Sequence, residues 1–490
     1  MVTIVLLALA ALLYLGCKIG FTLRFHALSK YPGPLAWRTF EFPHRWYKAT
    51  GQLPFKIKEL HDRYGPVVRT APNELSFVDP RAWKDIYGHR EFMRPDSLRR
   101  RPPGVADNLI TADADTHARF RKVMNPAFGD SAVRDYEPIV KAYFLKMLAR
   151  LDERTHGGGY VDMLHFINCG VYDIIGDVTW GKSFDCLEFD QPPALLSVLS
   201  HFKAAVITSS ISPYVGSLSR MLTPKPDLIR LDHVFASVRQ RVSERVTSTA
   251  RQHDIMSHML RDPKHSDAIL SEAEIQTNSL TLTMTGSEPL TSTLSAAVAL
   301  LLANPAQLRR ASSEIRAAFA SLDDISAREA AELPFLHAVL LETLRIYPAV
   351  PDSRLRQVPP GGAVVAGEHL PAGTTVAMGC YSTFRSPRWF TDADTFVPER
   401  WLRKNDAEAA EAVRRFPVHN LDAYQPFGIG PRNCLGQALA WVEMRLFLAM
   451  LLWKYDLEVP AGTDASSWMD QKIWWTWEKG PLHVKLVRAQ

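Results

Sequence analysis

The chain has 490 residues, 47% hydrophobic and 22% charged, which is ordinary for a globular protein and room for one large domain or two to three average ones. A net charge of +5, with no basic run interleaved with aromatics, sets nucleic acid aside as a partner; Arg99-Arg100-Arg101 reads as a short solvated loop. The five cysteines (Cys17, Cys169, Cys186, Cys380 and Cys434) are odd in number, scattered and without a CxxC pair, which argues against zinc or disulfide frameworks and for a reducing compartment.

Met1 to Cys17 is almost wholly apolar, and with Ile19 to Leu23 the run is interrupted only by Lys18. About 20 residues suffice to cross a bilayer core of ~30 Å, so 1–23 is predicted to be a transmembrane anchor. No Lys or Arg precedes the run, while Arg24, His26 and Lys30 follow it, which places the bulk of the chain on the cytosolic side. The alternative, a cleaved signal peptide, wants a basic start and a small-residue cleavage site, and neither is evident. Tyr31-Pro32-Gly33-Pro34 makes a stiff, non-helical break, so 24–44 is expected to be a linker with a proline-rich hinge and 45–490 the folded domain.

Val67 to Val78 reads as two short strands around the turn Ala71-Pro72-Asn73. A polar loop from Pro95 to Ala114 precedes a helix in which His117 and Arg121, four apart, share one face. Residues 135–330 are mostly helical in pattern, with breaks at Gly157-Gly158-Gly159, Gln191-Pro192-Pro193 and Pro224-Lys225-Pro226. A long segment, Glu272 to Ala303, carries Thr285-Gly286-Ser287-Glu288-Pro289 near its middle. Proline there removes a helical N–H and crowds the Thr285 carbonyl, so a local kink is expected. Leu333 to Tyr347 forms an amphipathic helix ended by Pro348, with Glu342 and Arg345 neighbours on one face. Val364 to Met378 reads as strands separated by turns, and Ile473 to Trp477 is rich in tryptophan.

One stretch organises the rest: Phe427-Gly428-Ile429-Gly430-Pro431-Arg432-Asn433-Cys434-Leu435-Gly436, followed at once by an apolar helix from Gln437 to Trp453. Glycines let the backbone turn sharply and approach a flat ligand. Arg432 supplies positive charge, and a sulfur placed just before a helix start is favoured as thiolate.

Phe427, Gly430, Arg432, Cys434 and Gly436 resemble the haem-binding signature of the cytochrome P-450 family position by position. The resemblance extends over nearly the whole chain and is closest to membrane-bound fungal microsomal members. It implies a mainly α fold with small β-sheets, haem b with Cys434 as axial thiolate, and electrons from NADPH through a flavoprotein reductase at the endoplasmic reticulum membrane. It makes Phe427, Arg432 and Gly436 parts of the haem loop, and it carries the propionate-binding role onto His117, Arg121 and Arg356. A solvated basic helix face is the alternative reading of the first two, and Arg119 and Lys122 are candidates for docking an acidic electron donor. Glu342 and Arg345 match the family's Glu-x-x-Arg element, with Arg400 as third, structural partner.

The chain departs from the family at the oxygen-facing helix. The acid is present as Glu288, but Pro289 stands where a threonine normally helps deliver protons. Two readings follow. In one, Thr285, a turn earlier on the same face, supplies the hydroxyl, making Glu288 and Thr285 the catalytic pair. In the other these are ordinary helix residues beside an altered reaction. The resemblance thus implies a monooxygenase acting on a lipophilic small molecule, as in fungal secondary metabolism. The alternative is rearrangement, dehydration or oxidative coupling without net oxygen insertion.

Overall fold

The computed structural model describes the chain except residues 89–91, 100, 102–103, 156–158, 192–193, 223–227, 248–253, 261–268, 403–410, 412–413 and 490. Gly157-Gly158, Pro192-Pro193, Pro224-Lys225-Pro226 and Arg100 therefore lie outside the described residues.

Among the described residues the fold is mainly α with three small sheets. Helix α1 (Val2–Arg24) has 23 residues and a mean hydropathy of 2.3, with no part of its apolar window buried in the protein. That is long and apolar enough to cross a membrane. Residues 24–44, expected to be a linker with a proline-rich hinge, send apolar side chains into the folded body. Leu28 and Tyr31 are buried among Leu75, Phe77, Trp83 and Met378, and Trp37 is buried with Leu53 and Ile57. The proline-rich break is extended as predicted, but Arg69 N donates to Pro32 O at 2.8 Å, and the apolar side chains on either side of it have joined the core. Burying them costs the hinge its freedom.

Strands β1 (Val67–Ala71) and β2 (Glu74–Phe77) pair antiparallel around the predicted turn. β3 (Tyr160–Asp162) belongs to a second sheet with two strands near the C-terminus. β4 (Arg356–Gln357) is an edge strand, β5 (Ala363–Val365) and β6 (Glu368–Leu370) form a hairpin, and β7 (Thr375–Met378) lies parallel to β2, Glu74 opposite Thr375. β4 pairs antiparallel with β7, Arg356 opposite Val376, which fixes Arg356 beside the helical body. β8 (Tyr455–Glu458) and β9 (His483–Arg488) complete the second sheet in the order β3-β9-β8.

The helical body is built from α2 (Ala114–Met124), α3 (Asp130–Thr155), α4 (Met163–Trp180), α5 (Ser197–Val215), α6 (Glu272–Ala303), α7 (Pro334–Ile346) and α8 (Gln437–Lys454). The ends of α6 are those the sequence predicts. Ser271 and Glu274 form a reciprocal capping box, and Glu272 and Glu274 complement the positive end of the helix. Its second half, Leu294 to Leu302, is buried, and with α3, α4 and α8 it makes the main core. Gly286 lets α6 approach α4, since a Cβ there would lie 2.8 Å from Ile175 Cδ1. The helix continues through Pro289. Around that proline, hydroxyls bond back to carbonyls one turn earlier: Thr281 to Thr277, Thr285 to Thr281, Ser287 to Thr283 and Thr293 to Pro289. Such bonds bend helices slightly, so the polar half is where α6 can yield.

Candidate active site

The cysteine loop is closed on itself. Cys434 N donates to Phe427 O at 2.8 Å and Asn433 N to Gly430 O at 3.1 Å, while the Phe427 ring packs 5.9 Å from that of Trp441 on α8. Gly428 and Gly430 have φ of +70° and +76°, the left-handed region. A Cβ on Gly430 would lie 1.8 Å from the Tyr87 carbonyl oxygen. Gly430→Ala therefore meets backbone that cannot give way, in addition to about 1–3 kcal/mol of conformational strain. The expected result is a protein that retains little haem, measured as the haem-to-protein ratio after purification.

Cys434 itself is exposed, while Cys169, Cys186 and Cys380 are buried. It borders a cleft of about 400 Å³ that Arg121, Phe128 and Trp441 also line. The sulfur opens onto this cleft while protein packs around its other sides; that packing pushes the thiol up, whereas the Gly436 N–H, Arg354 and Arg121 favour thiolate. Helix α8 begins three residues beyond Cys434, with Gly436 as its N-cap.

Basic groups converge on one side of the loop. His117 is buried on α2 and pushed down to about 3, first by burial and then by Arg432, Arg121, Arg94 and Arg356. His117 and Arg121 lie one turn apart on α2, as their spacing predicts. Arg432 donates to Ala112 O at 2.8 Å, and Arg121 donates to Asn433 O and Oδ1 at 3.0 and 3.1 Å, tying α2 to the cysteine loop. Arg356 is buried, its guanidinium 5.1 Å from the centre of the Tyr87 ring. Four guanidiniums act on one buried imidazole, and one of them, Arg121, shares the cleft with the exposed Cys434; the set fits a flat ligand with a thiolate-seeking metal and a carboxylate-bearing edge. Haem meets both requirements. His117, Arg94, Arg121, Arg356 and Arg432 would hold its carboxylates and Cys434 its iron.

Sequence reasoning missed Arg94, Arg354 and Asn433. Arg354 Nη2 donates to Pro426 O at 3.2 Å, at the entry to the cysteine loop. Its place two residues from Arg356 is a signal, since alternate residues of an extended segment share a face. Arg119 pairs with Glu274 at 2.6 Å and donates to Ile269 O at 2.7 Å.

Along α6, Thr281, Thr285, Gly286 and Pro289 are half-buried while their neighbours Leu282, Thr283, Ser287 and Glu288 are buried. Spacing of four residues puts Thr281, Thr285 and Pro289 on one stripe. Glu288 lies off that stripe. Its side chain forms a buried ion pair with Lys479, which sequence reasoning also missed, and Lys479 Nζ donates to Ser292 Oγ at 3.0 Å.

The structure brings Glu342, Arg345 and Arg400 together behind the loop. Arg345 donates to both Glu342 oxygens at 2.8 and 2.9 Å, and Arg400 Nε to one of them at 3.1 Å; all three side chains are fully shielded from solvent.

The cytochrome P450 family profile matches residues 31–485. A cytochrome P450 monooxygenase of Aspergillus oryzae, aclL, is 35% identical over 97% of this chain and 96% of its own length. The averantin hydroxylase of Dothistroma septosporum is 34% identical over 98% and 90%, and the versicolorin B desaturase of Aspergillus parasiticus is 33% identical over 96% and 94%. With its exposed cysteine in a closed, glycine-bent loop and a basic rim beside it, the chain belongs to the cytochrome P450 family of haem-thiolate monooxygenases.

Proposed function

We propose that the protein hydroxylates or otherwise oxidises a lipophilic small molecule of fungal secondary metabolism, using O2 and NADPH-derived electrons passed on by a membrane flavoprotein reductase. Residues 1–23 anchor it as a single span in the endoplasmic reticulum membrane, with the catalytic body on the cytosolic side. The observation that carries the reading is the exposed Cys434 beside its basic rim. When bound, haem supplies oxygen activation, and the thiolate strengthens its push on the O–O bond. The chain supplies geometry and protons.

Thr285 is the residue assigned to the proton at the oxygen-facing side. Its hydroxyl donates to Thr281 O at 2.7 Å, yet the residue is half-buried on the stripe that includes Pro289. Swinging from that bond to a water costs about 1 kcal/mol net, small beside the factor of ~10²–10⁴ that a placed proton donor contributes. Pro289 itself, lacking both hydroxyl and N–H, holds the helix carbonyls open.

A second reading rests on Pro289 and on the desaturase among the relatives: oxidation without net oxygen insertion. Microsomes carrying the chain and its reductase, given NADPH and a lipophilic fungal extract under labelled dioxygen, separate the two. Label in a new product is the expected result. Thr285→Ala should then divert about 90% or more of the reducing equivalents to peroxide, the loss of a placed donor, while Thr285→Ser restores product. An oxygen-dependent product without label selects desaturation or coupling, and one formed anaerobically selects rearrangement.

A further inference from the structure

Two consecutive residues near the C-terminus, Glu478 and Lys479, form ion pairs with two different helices. Lys479 pairs with Glu288 on α6 in a nearly closed environment, the two side chains 6% and 2% exposed. Glu478 pairs with Lys203 on α5 at the surface, where both side chains are at least one-third exposed. The segment between them and Ile473 is held firmly. Trp477 stacks on Tyr347 with ring centres 4.0 Å apart and donates to Pro348 O at 2.9 Å. Trp475, at φ +108°, sits against Phe202 of α5 with ring centres 5.6 Å apart. Strain of that kind persists only where the surroundings over-determine it.

Glu288 is satisfied on one side only. Its Oε1 is taken by Lys479, while Oε2 is buried with no hydrogen-bond partner among the described residues. The groups facing it are Lys479 from the C-terminal segment, Tyr172 from α4, Tyr347 after α7 and Ser292 on its own helix. Burial, and next the Glu288 charge, push both phenols up, so neither competes for the proton. A carboxylate this deep without a cation would protonate.

We propose that Lys479 is a positioning residue for Glu288: it holds Oε1 and keeps the carboxylate charged, leaving Oε2 to take a proton from water and give it back toward the oxygen-facing side, while Glu478 and Lys203 fix the segment that carries it. The proposal rests on the reading of Glu288 as the proton-handling acid of α6. The Lys203 pair is exposed and salt-screened, so its part in the arrangement is the smaller one.

The test uses the haem-loaded full chain. In the infrared difference spectrum against the parent at neutral pH, Lys479→Met should gain an additional band of a protonated carboxylic acid, and Lys479→Met/Glu288→Gln should lack that additional band. Lys479→Arg should remove it as well. With reductase and NADPH alone, NADPH oxidation in Lys479→Met should slow about tenfold and gain a larger solvent isotope effect, as expected for a displaced proton donor; Lys203→Met should change both in the same direction but less. If Lys479→Met does not fold, Lys479→Gln carries the same test, with the same additional band, slowing and isotope effect expected. A Lys479→Met protein without the band, with NADPH oxidation and isotope effect unchanged, overturns the proposal. The band together with unchanged NADPH oxidation upholds the hold of Lys479 on Glu288 and removes Glu288 from proton delivery.

Discussion

Cys434→Ala is expected to abolish oxygenation outright while leaving the polypeptide folded. The side chain is exposed, and the loop is closed by the backbone bond from residue 434 to Phe427 O, which alanine keeps. Stability without haem should therefore change by no more than about 0.5 kcal/mol, the usual range for exposed positions. The basic rim remains, so some haem can still be captured through its carboxylates. Lost are the bond to iron and the electron density the sulfur pushes onto it. The measurement is the absorption spectrum of the reduced, carbon monoxide-bound protein: the band of a thiolate-ligated haem should be replaced by that of a neutral-ligand haem. Cys434→Ser should behave in the same way. Survival of the thiolate band in either variant would exclude Cys434 as the ligand. Arg121, which reaches the same loop through Asn433, would give the milder phenotype of lowered haem retention.

The contrast between this loop and Lys479 marks what a sequence displays. The loop is local: ten consecutive residues specify its turns, its sulfur and the start of the helix that follows. The ends of α6 were legible for the same reason, since the capping box and the apolar second half both lie within the helix. Lys479 reaches Glu288 across 191 positions, and nothing near either residue announces the other. Strands β3, β8 and β9 were missed because each is short and takes its identity from a distant partner, as Tyr160 does from Lys485. Arg119 pairs with Glu274, again a partner 155 positions away. Leu28, Tyr31 and Trp37 are different. Their apolar side chains were visible beside the prolines, and the weight given to the prolines hid that the segment could be both stiff and buried.

Glu342→Gln is expected to be the most damaging substitution away from the haem site. The carboxylate accepts from Arg345 Nε and Nη2, Arg400 Nε, Val397 N and Trp401 Nε1, at 2.7 to 3.1 Å. Arg345 in turn donates to Phe384 O, Ala393 O and Thr395 O, so this one cluster ties α7 to the segment running toward the cysteine loop. A neutral amide in place of the carboxylate would leave two guanidiniums buried without a counter-charge, and losing one partner of such a pair costs about 3–5 kcal/mol. Arg345→Met should cost a similar amount by stranding the carboxylate. Their combination should cost less than the sum, since it removes opposite charges together. The pH dependence separates charge from shape. Burial pushes the Glu342 carboxyl up, but Arg345, Arg400 and the Val397 N–H outweigh it and hold the group below its usual value. A depressed folded value means the stabilisation is present above the unfolded carboxylate range, near pH ~4.3, and is lost as the pH falls through the folded value. Denaturant midpoints of the parent and Glu342→Gln should therefore lie far apart at pH 7 and converge in acid. A gap that stays constant with pH would mean that the ionised carboxylate contributes nothing beyond its hydrogen bonds.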